Sequence, residues 1–297
     1  MKLAQTLAFL FTGLLASLVL AQDPPKSRAQ AEALVASLQF QQGTIDLHHG
    51  LASLQVPHQF RFLNGHDANT VLVQLWGNPS QPEPLGMLVP ADISPLSREF
   101  WGVIISYEEN GYVKDKDAEK INYDELLKQI RKGAQASNKE REKQGYPPIE
   151  IVGWAAPPHY DQSAHKLHWA KEVRFGNETE NTLNYNIRIL GRRGVLVLNS
   201  VAGMSELPEI QRNTPAILSA VNFNSGNRYA DFNPASGDKV ASYGIAALVA
   251  GGVAAKLGFF KGLWVLILGA KKFIIIGIAA VAAWFRKLFG KKGTPAG

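Results

Sequence analysis

The chain has no cysteine among its 297 residues. That excludes disulfide frameworks, thiolate metal sites, thiol catalysis and a lipidated cysteine, so an exported fold of this sequence must be held by packing alone. Acidic residues are missing from both ends: residues 1–21 and the last 57 contain neither Asp nor Glu. Complete catalytic signatures are missing as well. There is no phosphate loop and no dinucleotide fingerprint. Gly203-Met204-Ser205-Glu206-Leu207 lacks the second glycine of a nucleophile elbow, and Ser205 reads as a helix cap. Asp115-Lys116-Asp117-Ala118-Glu119 opens like a calcium loop but has Lys120 where the loop needs Gly and Leu126 where it needs Glu. A charged turn before a helix is the better account of it.

What is present at the two ends is apolar. Residues 1–21 carry Lys2, an apolar run Leu7–Leu20 and the small residue Ala21, the pattern of a cleaved signal peptide. Residues 241–297 carry eight cations, Lys256, Lys261, Lys271, Lys272, Arg286, Lys287, Lys291 and Lys292, in apolar sequence. The run Tyr243–Phe260 is just long enough to cross a bilayer as one transmembrane helix, with Lys256 near its end. That placement puts all eight cations on one side, the cytoplasm by the positive-inside rule. Lys271-Lys272 divides the rest into pieces too short to span, which suits an interfacial helix; a hairpin turning at Phe259–Gly262 is the alternative.

The overall charge of +6 belongs to these ends. Residues 22–240 hold 22 basic and 25 acidic residues, a net of about −3, which excludes a basic nucleic-acid footprint. This segment is long enough for a substantial core. Periodicity predicts a helix from Ser27 to about Phe40, a hairpin of Ile45–Leu47 and Ala52–Val56 around His48-His49-Gly50, and a short helix over Ala68–Trp76. Strands are expected at Leu85–Val89 and Trp101–Tyr107, the second turning at Asn110-Gly111. Asn122 begins a helix that faces the core with Leu126, Leu127 and Ile130. Its polar end, Ser137–Gln144, followed by Pro147-Pro148, marks a candidate subdomain boundary near 145–148. Beyond it, Ile149–Trp154, Lys166–Phe175, Leu183–Leu190 and Val195–Asn199 read as strands, the last three as a meander, with a helix over 207–223. The expected fold class is α+β, antiparallel sheets with flanking helices, plus the membrane helix.

The densest polar constellation is His159, Asp161, His165 and His168. His and Asp are metal ligands, and a metal-assisted hydrolase centred on these four residues is one reading. The bland one is a proline-stiffened turn with Asp161 bonding its own backbone. The strand phase supports the second, since it sends His168 away from Leu167 and Trp169, with His165 leaving on the other side. Arg188, Arg192 and Arg193 around a turn are candidates to hold an anion or a lipid headgroup, against an ordinary solvated turn. Trp76, Trp101, Trp154 and Trp169 lie in apolar alternation and suit core packing better than sugar stacking.

Several runs carry a resemblance: Trp76-Gly77-Asn78-Pro79, Gly111-Tyr112-Val113-Lys114-Asp115, Pro158-His159-Tyr160-Asp161, Lys166-Leu167-His168-Trp169-Ala170-Lys171, Leu190-Gly191-Arg192-Arg193-Gly194 and Arg228-Tyr229-Ala230-Asp231-Phe232. In these the chain resembles an uncharacterised family of Gram-negative membrane-anchored proteins, from about residue 30 to the tail. The resemblance implies a signal peptide, a C-terminal anchor and no transferable catalytic residues. The expectation is an inner-membrane protein with residues 22–240 in the periplasm and the C-terminus in the cytoplasm. The exported domain is expected to bind a ligand or an envelope protein partner without catalysis, needing no metal, cofactor or nucleic acid.

Overall fold

A computed structural model describes residues 25, 27–78, 82–116, 118–143 and 147–250. The expected signal peptide, residues 1–21, and the tail beyond Ala250 lie outside the described residues.

Ser27 accepts a hydrogen bond from the Gln30 amide and starts α1 (Arg28–Ser37), as its side chain suggests, but the helix buries none of its own residues. The expected hairpin forms from β1 (Thr44–Leu47) and β2 (Ala52–Gln55), with Ile45 opposite Leu54. A strand that periodicity missed, β3 (Phe60–Asn64), leads into α2 (Gly65–Asn69) and a π-helical turn, Thr70–Leu75. Next come β4 (Gly86–Pro90), β5 (Gly102–Glu108) and β6 (Tyr112–Lys114). The Asn122 side chain accepts from the amides of Asp124 and Glu125 and opens α3 (Tyr123–Lys143), which buries Leu126, Leu127 and Ile130 as expected.

The meander follows: β7 (Ile149–Asp161), β8 (Lys166–Phe175), β9 (Thr182–Leu190) and β10 (Val195–Gly203). Then come α4 (Leu207–Ala220), β11 (Val221–Phe223), β12 (Val240–Gly244) and α5 (Ile245–Ala250). Ser205 does not cap α4; its hydroxyl donates to Glu206.

The scaffold is a seven-stranded antiparallel sheet in the order β3-β4-β5-β10-β9-β8-β7. Strands from both sides of residues 145–148 share it, because β10 pairs with β5 as well as β9. One face packs Phe60, Phe62, Leu183, Tyr185, Ile187 and Ile189 against α4 and a second sheet, β1-β2-β11. The other face carries two separate apolar clusters. At the β3–β4 end, Leu63, Met87 and Val89 meet Val71, Leu72 and Trp76. At the β7–β8 end, Ile151, Leu167, Trp169, Val173 and Phe175 meet α3 and α5.

Two expectations change here. Asn110-Gly111 does not turn a hairpin: β6 pairs in parallel with β12, and the Gly111 amide donates to Arg193 O. Gly111 has φ +91, and a Cβ there would meet the carbonyl of Lys239, so this glycine serves a close backbone crossing. The start of the expected membrane run belongs to the folded domain. Ile245, Leu248 and Val249 fall on one side of a helix and are buried in the α3 cluster. Residues 251–260, the rest of the run Tyr243–Phe260, lie outside the described residues. Among the described residues, no helix is long and apolar enough to span a membrane.

Candidate functional site

Between its two apolar clusters, the second face of the large sheet is polar. On β9, Thr182, Asn184, Asn186 and Arg188 all point to this side, because their odd-numbered neighbours fill the opposite core. Register then aligns rows across the strands. Ile104, Asn199, Asn186 and Trp169 form one, and Asn184 faces Lys171 in the next. Apart from the half-buried Ile104, these residues are buried, Lys171 to 2% exposure, Arg188 to 7% and Trp169 to 1%.

The Arg188 side chain turns back along the stripe. Its Nη1 donates to Asn199 Oδ1 at 2.9 Å and to Ile187 O at 2.9 Å, its Nη2 lies 3.5 Å from Asn186 Oδ1, and its guanidinium sits 5.1 Å over the Trp169 ring. Asn186 Nδ2 passes the chain on to Asn184 Oδ1 at 2.8 Å. Three buried polar atoms end without a partner: Asn184 Nδ2, Trp169 Nε1 and Thr182 Oγ1. Burial, with Arg188 adding repulsion, drives the Lys171 ammonium down to about 7. Burial also brings the Arg188 guanidinium down to about 10, against the pull of Glu108.

The four residues suspected of metal chemistry separate. His159 and His168 are cross-strand partners with rings 5.4 Å apart, and His168 Nδ1 lies 3.2 Å from the Tyr185 hydroxyl on the α4 face. Asp161 accepts from the Ser163 and Ala164 amides and the Ser163 hydroxyl, the self-bonded turn of the bland reading. His165 goes the other way. It has φ +52, stacks on Tyr229 at 4.0 Å and places Nδ1 3.2 Å from Asp115 Oδ2. The Tyr160 hydroxyl donates to the same oxygen at 2.7 Å. Among the described residues no three His, Asp or Glu side chains are placed to hold a metal ion, so the hydrolase centre does not assemble.

The arginine trio separates too. Arg192 and Arg193 both bond Asp238, at 2.6 and 2.9 Å, and the Asp238 side chain is 1% exposed. Hydrogen bonds from Arg192, then from the Asn233 amide and Arg193, hold its carboxyl far below the usual range. These two arginines pin the 226–238 loop, and only Arg188 enters the stripe. Trp76, Trp101 and Trp169 are core residues, and the half-buried Trp154 donates to Tyr123 O.

An antiparallel sheet with helices on both faces and a polar interior stripe defines the class, an α+β domain. The chain belongs to the family described as protein of unknown function DUF2167, which it matches over residues 39–282. No curated protein matches it. Solved structures to which the chain is similar include cyanobacterial PsbP (CyanoP) from Synechocystis sp. PCC 6803, 10% identical over 63% of this chain and 93% of that one, TM-score 0.34. The Ran-binding protein Mog1p of Saccharomyces cerevisiae is 9% identical over 66% of this chain and all of its own, TM-score 0.34. LpqN, a protein involved in cell envelope biogenesis of Mycobacterium tuberculosis, is 14% identical over 68% of this chain and 99% of its own, TM-score 0.28. Likeness at this level carries no functional argument.

Proposed function

We propose that this chain is a membrane-tethered envelope protein whose folded domain binds a ligand without transforming it. The observation that carries the reading is the stripe on the large sheet: buried donors, two of them cationic, on strands that are rigid because both faces are packed. The other polar residues considered for chemistry are occupied in holding the fold, as the Asp161 turn, the His165–Asp115 pair and the Asp238 clamp illustrate. A single interior site on a preformed scaffold suits recognition. The tether reading rests on the apolar, cationic sequence of the tail.

Native mass spectrometry of the full-length protein, extracted from its own membranes in mild detergent, tests the binding reading. The expected result is a small co-purifying mass that is lost on denaturation and absent from the Asn184→Leu variant. Equal masses for the two proteins, apart from the substitution, would overturn it. For the tether, a Cys introduced at Thr294 should stay unlabelled by an impermeant thiol reagent in intact spheroplasts; labelling there would place the C-terminus outside.

A further inference from the structure

We infer that the stripe is a site for a small oxyanion, a carboxylate or phosphate group, received by Arg188, Lys171, Asn184 and Trp169. This deepens the binding reading and rests on it. Hydrogen-bonding capacity in the stripe is one-sided. The amide oxygens are already engaged: Asn199 Oδ1 and Asn186 Oδ1 by Arg188, and Asn184 Oδ1 by Asn186 Nδ2. What remains is donors. Asn184 Nδ2 and Trp169 Nε1 can only donate, and both are buried without a partner; the Thr182 hydroxyl, also without one, can donate as well.

The placement makes these donors converge. Lys171 lies directly across from Asn184, and Trp169 directly across from Asn186. Arg188 comes from further along β9 and folds back over Trp169 to Asn186, in the row next to that of Lys171 and Asn184. The carboxylate that acts on Arg188, Glu108, is on β5 opposite Val195, four residues along the sheet from the row of Asn199 and Asn186, and it accepts from Asn110. A neutral ligand with donors of its own would leave part of this set unpaired. An oxyanion brings acceptors alone and a charge that offsets two mutually repelling cations. The burial of the stripe restricts the group to a small one that enters by local opening.

The test is a thermal melt of the full-length protein in detergent micelles with inorganic phosphate, with acetate, with chloride at matched ionic strength, and with glucose. Phosphate or acetate is expected to raise Tm saturably by about 4 °C over chloride. Which of the two acts separates a phosphoryl from a carboxyl ligand. Asn184→Leu, close in shape, should abolish the rise while still folding, and Lys171→Met should weaken it at least tenfold in half-saturating concentration. Coincident phosphate, acetate and chloride curves in the wild type overturn the inference, as does a rise that survives in Asn184→Leu. A rise with glucose alone, lost in Asn184→Leu, would keep the binding reading and discard the oxyanion.

Discussion

Lys171 and Asp115 respond to pH in opposite directions. An unfolded chain releases the Lys171 proton near the ordinary lysine value of 10.5, whereas the folded protein releases it at about 7. Between those values the unfolded state binds more protons, so this residue makes stability rise with pH from about 7 to 10.5 and exerts a constant penalty below. Lys171→Met should therefore raise Tm at pH 7 and flatten the alkaline part of the stability curve, as read by denaturant titration at several pH values. For Asp115, burial alone would raise the carboxyl, but hydrogen bonds from Tyr160, Tyr229 and His165 outweigh it and hold it below its ordinary value. Its contribution is present above about pH 4 and disappears as pH falls through the depressed folded value. Asp115→Asn should cost about 2 kcal/mol at pH 7 and leave a protein whose acid unfolding is less steep. Neither role was legible beforehand. Alternation separates the two faces of a strand but does not say which is wet, and β9 is buried at all nine positions, so Asn184, Asn186 and Arg188 look solvated in sequence and are interior. His165 and Asp115 are 50 residues apart, and nothing local pairs them.

The elements themselves were far more legible, because their cues are local. The Asn122 cap, the apolar stripe of α3 and the β8–β9–β10 meander follow from side-chain chemistry and period. Partners distant in sequence were not. Lys166, on the same side of β8 as His168, is buried, and its ammonium donates to Leu218 O, to Val221 O at 3.0 Å and to Asn222 Oδ1 at 3.0 Å. It closes the C-terminal end of α4, where orphan carbonyls and the helix dipole favour a cation. Lys166→Met should cost about 2 kcal/mol in urea unfolding. Gly111 is another such case. Asn-Gly signals a hairpin only when the next segment can pair back, but β10 already occupies that edge of β5, so the chain crosses to β12. Gly111→Ala, placing Cβ against Lys239 O at a positive φ, should lower Tm by several degrees, roughly 1–3 kcal/mol.

At the scale of the whole molecule, the sheet unites segments that composition suggested were separable, and the domain runs on to Ala250. Chains cut after Lys239 and after Ala250 measure this directly. The shorter one loses Ile245, Leu248 and Val249 from the α3 cluster, roughly 5 kcal/mol of apolar burial, and should be molten or unfolded when the longer one melts cooperatively. The docking of α5 also determines reach. A flexible linker lets a tethered domain explore a radius that grows with the square root of its length. Here folded residues pass into the apolar tail with no polar spacer between them, so a domain tethered as proposed has almost no slack. It would ride against the headgroups in a narrow range of orientations, and whatever it meets would have to come to the bilayer surface.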